Sequence, residues 1–89
     1  MNDHLLTFEL EKNGLELNIH TDIQGLETLI TQLSSLLKSS RKGGTDHLHL
    51  MTEEWGGGEL SSEPQGDGSV LNHVKVFCWN DGKVSEPPA

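Results

Sequence analysis

The 89-residue chain has one cysteine, no tyrosine, two tryptophans, two phenylalanines and only six lysines and arginines. Each scarcity excludes something. A single thiol, Cys78, makes neither an internal disulfide nor a multi-cysteine zinc site, and it suits a reducing compartment. Six bases against fourteen acids give a formal charge of −8, which repels nucleic acid and anionic membranes and attracts basic surfaces. No apolar run approaches the ~18 residues of a membrane span, since the longest is broken at Thr28, Thr31, Gln32 and Ser34. Met1-Asn2-Asp3-His4 has neither the positive nor the apolar segment of a signal peptide, so a cytoplasmic location is expected.

Enough apolar residue remains for a core. Leu, Ile, Val and Phe make up about a quarter of the chain, above the ~20% below which charged chains stay disordered. The length admits one domain, with a thin core.

The elements are legible from pattern. Asn13-Gly14 is a two-residue type I′ hairpin signal that opposes Leu10 to Leu17 and Phe8 to Ile19. Leu6, Leu15 and these residues then share one face, while Thr7, Glu9, Glu11, Glu16, Asn18 and His20 take the other. From Asp22 to Ser40, the residues Ile23, Leu26, Leu29, Ile30, Leu33, Leu36 and Leu37 repeat as the buried stripe of an amphipathic helix. Thr21 and Gln24 have capping-box spacing, and Gly43-Gly44 ends the helix. The heptad-like subset Ile23, Leu26, Ile30, Leu33 and Leu37 is under three heptads, so core packing is expected rather than a coiled coil. A third strand spans Thr45 to Met51 and a fourth Val70 to Trp79.

Together these predict an α+β domain over residues 1–79: a four-stranded antiparallel sheet in the order strand-strand-helix-strand-strand, with one helix packed on one face. Residues 52–69 read as a long acidic, Gly-rich loop and 80–89 as a flexible tail ending in Pro-Pro-Ala.

Alternation turns Leu48, Leu50, Val74, Val76 and Cys78 toward the helix. It turns His47, His49, Met51, His73, Lys75, Phe77 and Trp79 away from it. That second face is rich in rings. Between Lys42 and Lys75 the chain carries Asp46, Glu53, Glu54, Glu59, Glu63 and Asp67 and no base. An acidic surface of this kind steers a basic partner, and Trp55 within it suits an interface anchor or a cover over Phe77 and Trp79.

Catalytic motifs are missing. Gly56-Gly57-Gly58 is followed by Glu59 rather than the lysine of a phosphate loop, and no serine sits in a Gly-x-Ser-x-Gly elbow. Cys78 and His73 point to opposite faces, so they form no nucleophile pair. Nothing fixes a pocket around the carboxylate pairs, so no enzyme activity and no cofactor are expected. Two alternatives stay open: a metal or catalytic site from His47, His49 and His73, and a homodimer burying Phe77, Trp79 and the edge strands.

The second half resembles the immunity protein 32 family of bacterial polymorphic toxin systems. The resemblance rests on His47-Leu48-His49-Leu50-Met51-Thr52, Trp55-Gly56-Gly57, Glu59-Leu60, and Leu71-Asn72-His73-Val74-Lys75-Val76 leading to Cys78-Trp79. With a preceding helix at Asp22 to Leu37, it covers residues 20–79. It implies a small protein that neutralises a cognate toxin by tight binding, with Trp55, Gly56, Gly57, Glu59, Asn72, His73 and Trp79 as its matching positions. Combined with the charge pattern, the expected partner-binding residues are Glu53, Glu54, Trp55, Glu59, Glu63, Asp67, His73 and Trp79, facing a toxin with a basic surface.

Overall fold

A computed structural model describes residues 4–80. The tail expected at 80–89 lies outside them except for Asn80, whose Nδ2 donates to the Ser40 carbonyl at 2.6 Å. The elements are β1 (Leu6–Leu10), β2 (Leu17–Thr21), α1 (Ile23–Ser40), β3 (Asp46–Met51), a 3-10 turn (Glu53–Trp55), β4 (Ser69–Val70) and β5 (His73–Cys78). The α+β class and the antiparallel pairing are as expected; the single sheet is not. β2-β1-β4 form one sheet and β3-β5 another.

The division has a local cause. On the edge of β1 away from β2, the Leu6 N–H donates to Ser61 Oγ at 2.7 Å, and the Leu6 carbonyl accepts the Ser61 N–H at 2.8 Å. Farther along, the Phe8 carbonyl accepts the Leu71 N–H at 2.8 Å, and Glu9 and Leu10 pair with Val70 and Ser69. With that edge filled, the expected fourth strand breaks at Leu71-Asn72. Its second part pairs only with β3, from Met51↔His73 to Asp46↔Cys78. Thr52 holds the break, its N–H donating to the Asn72 carbonyl at 3.1 Å and its Oγ1 bonding Asn72 Oδ1 at 2.8 Å.

The hairpin register follows the expectation, with Phe8↔Ile19 and Leu10↔Leu17. The turn does not. Only Gly14, at φ +71°, is left-handed, whereas a type I′ turn needs Asn13 there too. The Gly14 N–H closes a turn onto the Glu11 carbonyl at 2.9 Å, and Asn13 Oδ1 accepts the Leu15 N–H at 2.9 Å. The side-chain bond of Asn13 replaces the second left-handed residue.

The helix begins one residue later than the capping-box reading. Asp22 is the N-cap, its Oδ1 accepting the Gly25 N–H at 2.7 Å. Its buried line is also different. Gly25, Leu36 and Ser40 are buried, with Thr28, Leu29, Gln32 and Ser39 half-buried beside them. Ile23, Leu26, Ile30, Leu33 and Leu37 are exposed. Gly25 sets this orientation, because its missing side chain lets the helix rest on the Leu5 backbone. A Cβ there would stand 1.7 Å from the Leu5 carbonyl oxygen.

The core is accordingly small. Leu6, Phe8, Leu50 and Leu60 are buried, packed by Leu29, Leu48, Leu71 and Val74. Leu15, Leu17 and Ile19, expected to share the core face of the hairpin, are exposed. Leu60 comes from the middle of the segment expected to be an open loop. Its N–H donates to the Met51 carbonyl at 3.2 Å, and Thr52 and Leu60 form a parallel bridge.

Candidate functional site

The face of β3 and β5 turned away from the helix carries His47 opposite Phe77, His49 opposite Lys75 and Met51 opposite His73. Strand alternation dictates this placement, since Leu48, Leu50, Val74 and Val76 fill the intervening positions and turn inward. The rings form an unbroken series. Trp55 lies 6.2 Å from His73, His73 stacks on His49 at 5.1 Å, and His49 meets His47 edge-on at 4.9 Å. His47 then stacks on Phe77 at 5.1 Å, and Phe77 on Trp79 at 5.8 Å.

Trp55 is 57% exposed, Phe77 47% and Trp79 55%. At 5.8 Å, Phe77 and Trp79 lie in the range where aromatic pairs attract by ~0.5–1.5 kcal/mol beyond their burial. Trp55 does not fold over Phe77 and Trp79. It extends the series from the opposite end, carried there by the turn that follows β3.

The middle of the strip is polar. His49 Nδ1 and His73 Nε2 are 2.8 Å apart, a hydrogen bond that needs one ring to donate and the other to accept. Desolvation first, then the charges of His47, His73 and Lys75, depresses the His49 pKa below the ordinary imidazole value. The neutral form of His49 is therefore favoured, and a neutral ring can fill either role in the shared hydrogen bond. Among the described residues, no three His, Cys, Asp or Glu side chains are arranged to hold a metal ion.

The expected acids separate into two groups. Glu53 and Glu54 belong to the 3-10 turn that carries Trp55, and both are exposed beside the strip. Glu59 is half-buried, and its Oε1 accepts the Met51 N–H at 3.1 Å, so it braces the turn from beneath. Glu63 and Asp67 belong with the other sheet. The Glu63 carbonyl accepts from Thr7 Oγ1 at 3.1 Å, and Asp67 pairs with Lys12 of the hairpin turn at 3.3 Å. Trp55, His73 and Trp79 are thus brought together, joined by His47, His49 and Phe77, while Glu63 and Asp67 are held elsewhere.

Glu9 holds them there. It was expected on the solvent side of the hairpin, yet it is buried at 3% exposure. Its Oε1 accepts the N–H groups of Gln65 at 2.9 Å and Gly66 at 3.2 Å, and its Oε2 accepts that of Gly68 at 2.9 Å. The backbone bond from Gln65, followed by that from Gly68, holds its pKa below the usual carboxylate range against the cost of burial. His20 Nε2 stands 3.6 Å away. The signal in the sequence was Gly66-Asp67-Gly68, a turn whose backbone N–H groups converge on an anion.

The sequence model for immunity protein 32 matches residues 16–75, which includes the helix, the Trp55 turn and most of the ring strip. Comparison with curated proteins and with solved structures gives no match. The chain belongs to the immunity protein 32 family.

Proposed function

We propose that this member of the immunity protein 32 family neutralises a cognate bacterial toxin by covering it with the ring strip, and that it acts by binding rather than by catalysis. The observation carrying this reading is the continuous exposed series from Trp55 through His73, His49, His47 and Phe77 to Trp79. Tryptophan and other large rings dominate the energy of protein interfaces, and a pre-stacked strip loses little side-chain freedom on docking.

Glu53 and Glu54 beside Trp55, together with the formal charge of −8, favour a toxin with a basic surface. Glu59 supports this end of the site by fixing the turn. Glu63 and Asp67 act at longer range, adding to the field that steers the partner in. Nucleic acid and membrane are poor partners for this charge. Neutralising a toxin inside the producing cell places the protein in the cytoplasm.

The test is the affinity for the cognate toxin, measured by calorimetry at low and high salt. Trp55→Ala should weaken binding by ~2 kcal/mol or more, about thirtyfold, mainly through faster dissociation. Glu53→Lys with Glu54→Lys should slow association and flatten its salt dependence. Binding left intact by all three changes and Glu59→Lys together would refute the site.

A further inference from the structure

We infer that the exposed face of α1 is a second interaction surface, at which two copies of this chain pair with their helices antiparallel. The inference does not depend on the toxin site, although Phe77 and Trp79 at one end of the ring strip also border the groove beside this face. Ile23, Leu26, Ile30, Leu33 and Leu37 are between 40% and 79% exposed among the described residues. They cannot be the core stripe, because Gly25, Leu29 and Leu36 occupy that side.

Their spacing is three, four, three, four, the a/d repeat of a two-helix seam. It extends about 21 Å at 1.5 Å per residue. Taken alone the run is short for a coiled coil. Here the helix is already held folded by its sheets, so the seam has only to dock and not to fold the helix.

Three observations select a second copy as the occupant. The repeat is nearly symmetric about Ile30: reversing the helix sets Leu37 against Ile23 and Ile30 against itself, and brings Leu33 within one residue, about 1.5 Å along the axis, of Leu26. Charge is polarised along the same helix. Its amino-terminal end carries Asp22 and Glu27 without a base, and its carboxyl-terminal end carries Lys38, Arg41 and Lys42 without an acid. An antiparallel copy brings opposite charges and opposite helix dipoles together, whereas a parallel copy would stack like on like. Finally, a groove of about 400 Å³, whose lining includes Leu33, Leu37, Val76, Phe77 and Trp79, lies beside one end of the seam, where the partner's Ile23 arrives.

The exposed parts of the five side chains amount to roughly 500 Å² per copy, or ~1,000 Å² for the pair, the lower end of specific interfaces. An interface of this size suits weak, reversible pairing. It leaves the Trp55, His73, His49 and His47 part of each ring strip outward, while Phe77 and Trp79 border the seam.

Sedimentation velocity on the full chain across micromolar to high-micromolar concentrations tests this. The expected result is a reversible shift from the 9.8 kDa monomer to a dimer. Ile30→Glu, which sets two carboxylates against each other at the axis, should raise the dissociation constant at least tenfold. Because Ile30 is exposed, the fold should persist, as circular dichroism would verify. In a Cys78→Ser background, Ile30→Cys should form a disulfide-linked dimer on mild oxidation while Thr31→Cys on the neighbouring face should not. A chain that stays monomeric throughout would overturn the inference. So would a dimer insensitive to Ile30→Glu, or cross-linking as efficient from residue 31 as from residue 30.

Discussion

Replacing Gly25 by alanine should destabilise this protein, although the same change in an ordinary helix interior stabilises by ~1 kcal/mol. The added methyl would lie 1.7 Å from the Leu5 carbonyl oxygen and 2.7 Å from its carbon, both backbone atoms that no side-chain rotation can clear. Relief requires the first turn of α1 to lift by ~2 Å to reach ordinary van der Waals distance. That lift would stretch the 3.2 Å bond from the Asp22 N–H to the same Leu5 carbonyl, and it would unseat Leu29 from the small core. Overpacking of this kind costs ~1–3 kcal/mol, outweighing the propensity gain. With the ~1 kcal/mol propensity gain subtracted, the net loss is up to ~2 kcal/mol; each kcal/mol corresponds to ~4–8 °C in a domain of this size, so the melting temperature should fall by up to roughly 16 °C. Thermal unfolding by far-ultraviolet circular dichroism reads this directly. Ser34→Ala, exposed on the same helix, is the control and should be neutral or slightly stabilising. An alanine at residue 25 that raises the melting temperature would show that the helix does not rest on Leu5, and the account of its exposed face would fall with it.

Other consequences follow from the same geometry. Leu60→Ala removes one of four buried core side chains and should cost ~2–5 kcal/mol in urea unfolding; a cost near zero would mean that the segment is an open loop after all. Glu9→Gln should lower the melting temperature at neutral pH. Because the folded pKa of Glu9 is depressed, its contribution is complete above the ordinary carboxylate range and disappears as pH falls through the folded value. The wild-type and variant melting temperatures should therefore converge in acid, and a gap that widens there would contradict the assigned bonds. By proton NMR titration, His49 should ionise below the ordinary imidazole range, and His73→Ala should raise its pKa toward that range; an ordinary value in the wild type would contradict the desolvation and neighbouring charges assigned to it.

The parts of this fold legible in the sequence are those set by short-range periodicity. Period-two alternation identified which residues of β3 and β5 face the helix and which form the ring strip, and the turn at Asn13-Gly14 sufficed for the hairpin register. The helix was legible as an element but not in its rotation. Its sequence holds two usable apolar sides, and the wider one, centred on Ile30, dominates any pattern count. The choice was made instead by a tight backbone approach at Gly25, a contact that periodicity does not report.

The buried state of Glu9 escaped for a different reason. Its partners lie 56 to 59 residues away along the chain, and a carboxylate reads as a surface residue until those backbone groups are seen around it. The split sheet likewise depends on Ser61, one small polar residue whose N–H and hydroxyl together replace a strand neighbour at Leu6. Of the candidate site, the Trp55 turn, His73 and Trp79 were anticipated as a group. Glu63 and Asp67 were grouped with them on charge alone, and charge carries no information about which sheet a loop is tied to.

The interleaving of inward and outward residues on β3 and β5 bears on how such a protein diversifies. Positions 47, 49, 73, 75 and 77 point to the ring face, and 48, 50, 74, 76 and 78 between them point toward the helix. A single nucleotide change in this stretch therefore alters either the contact surface or the interior packing, seldom both. Drift at the odd-numbered positions could retune the choice of partner while the even-numbered ones keep the scaffold intact. A lineage under pressure from a changing toxin would have a short, rigid stretch on which recognition varies almost independently of foldability.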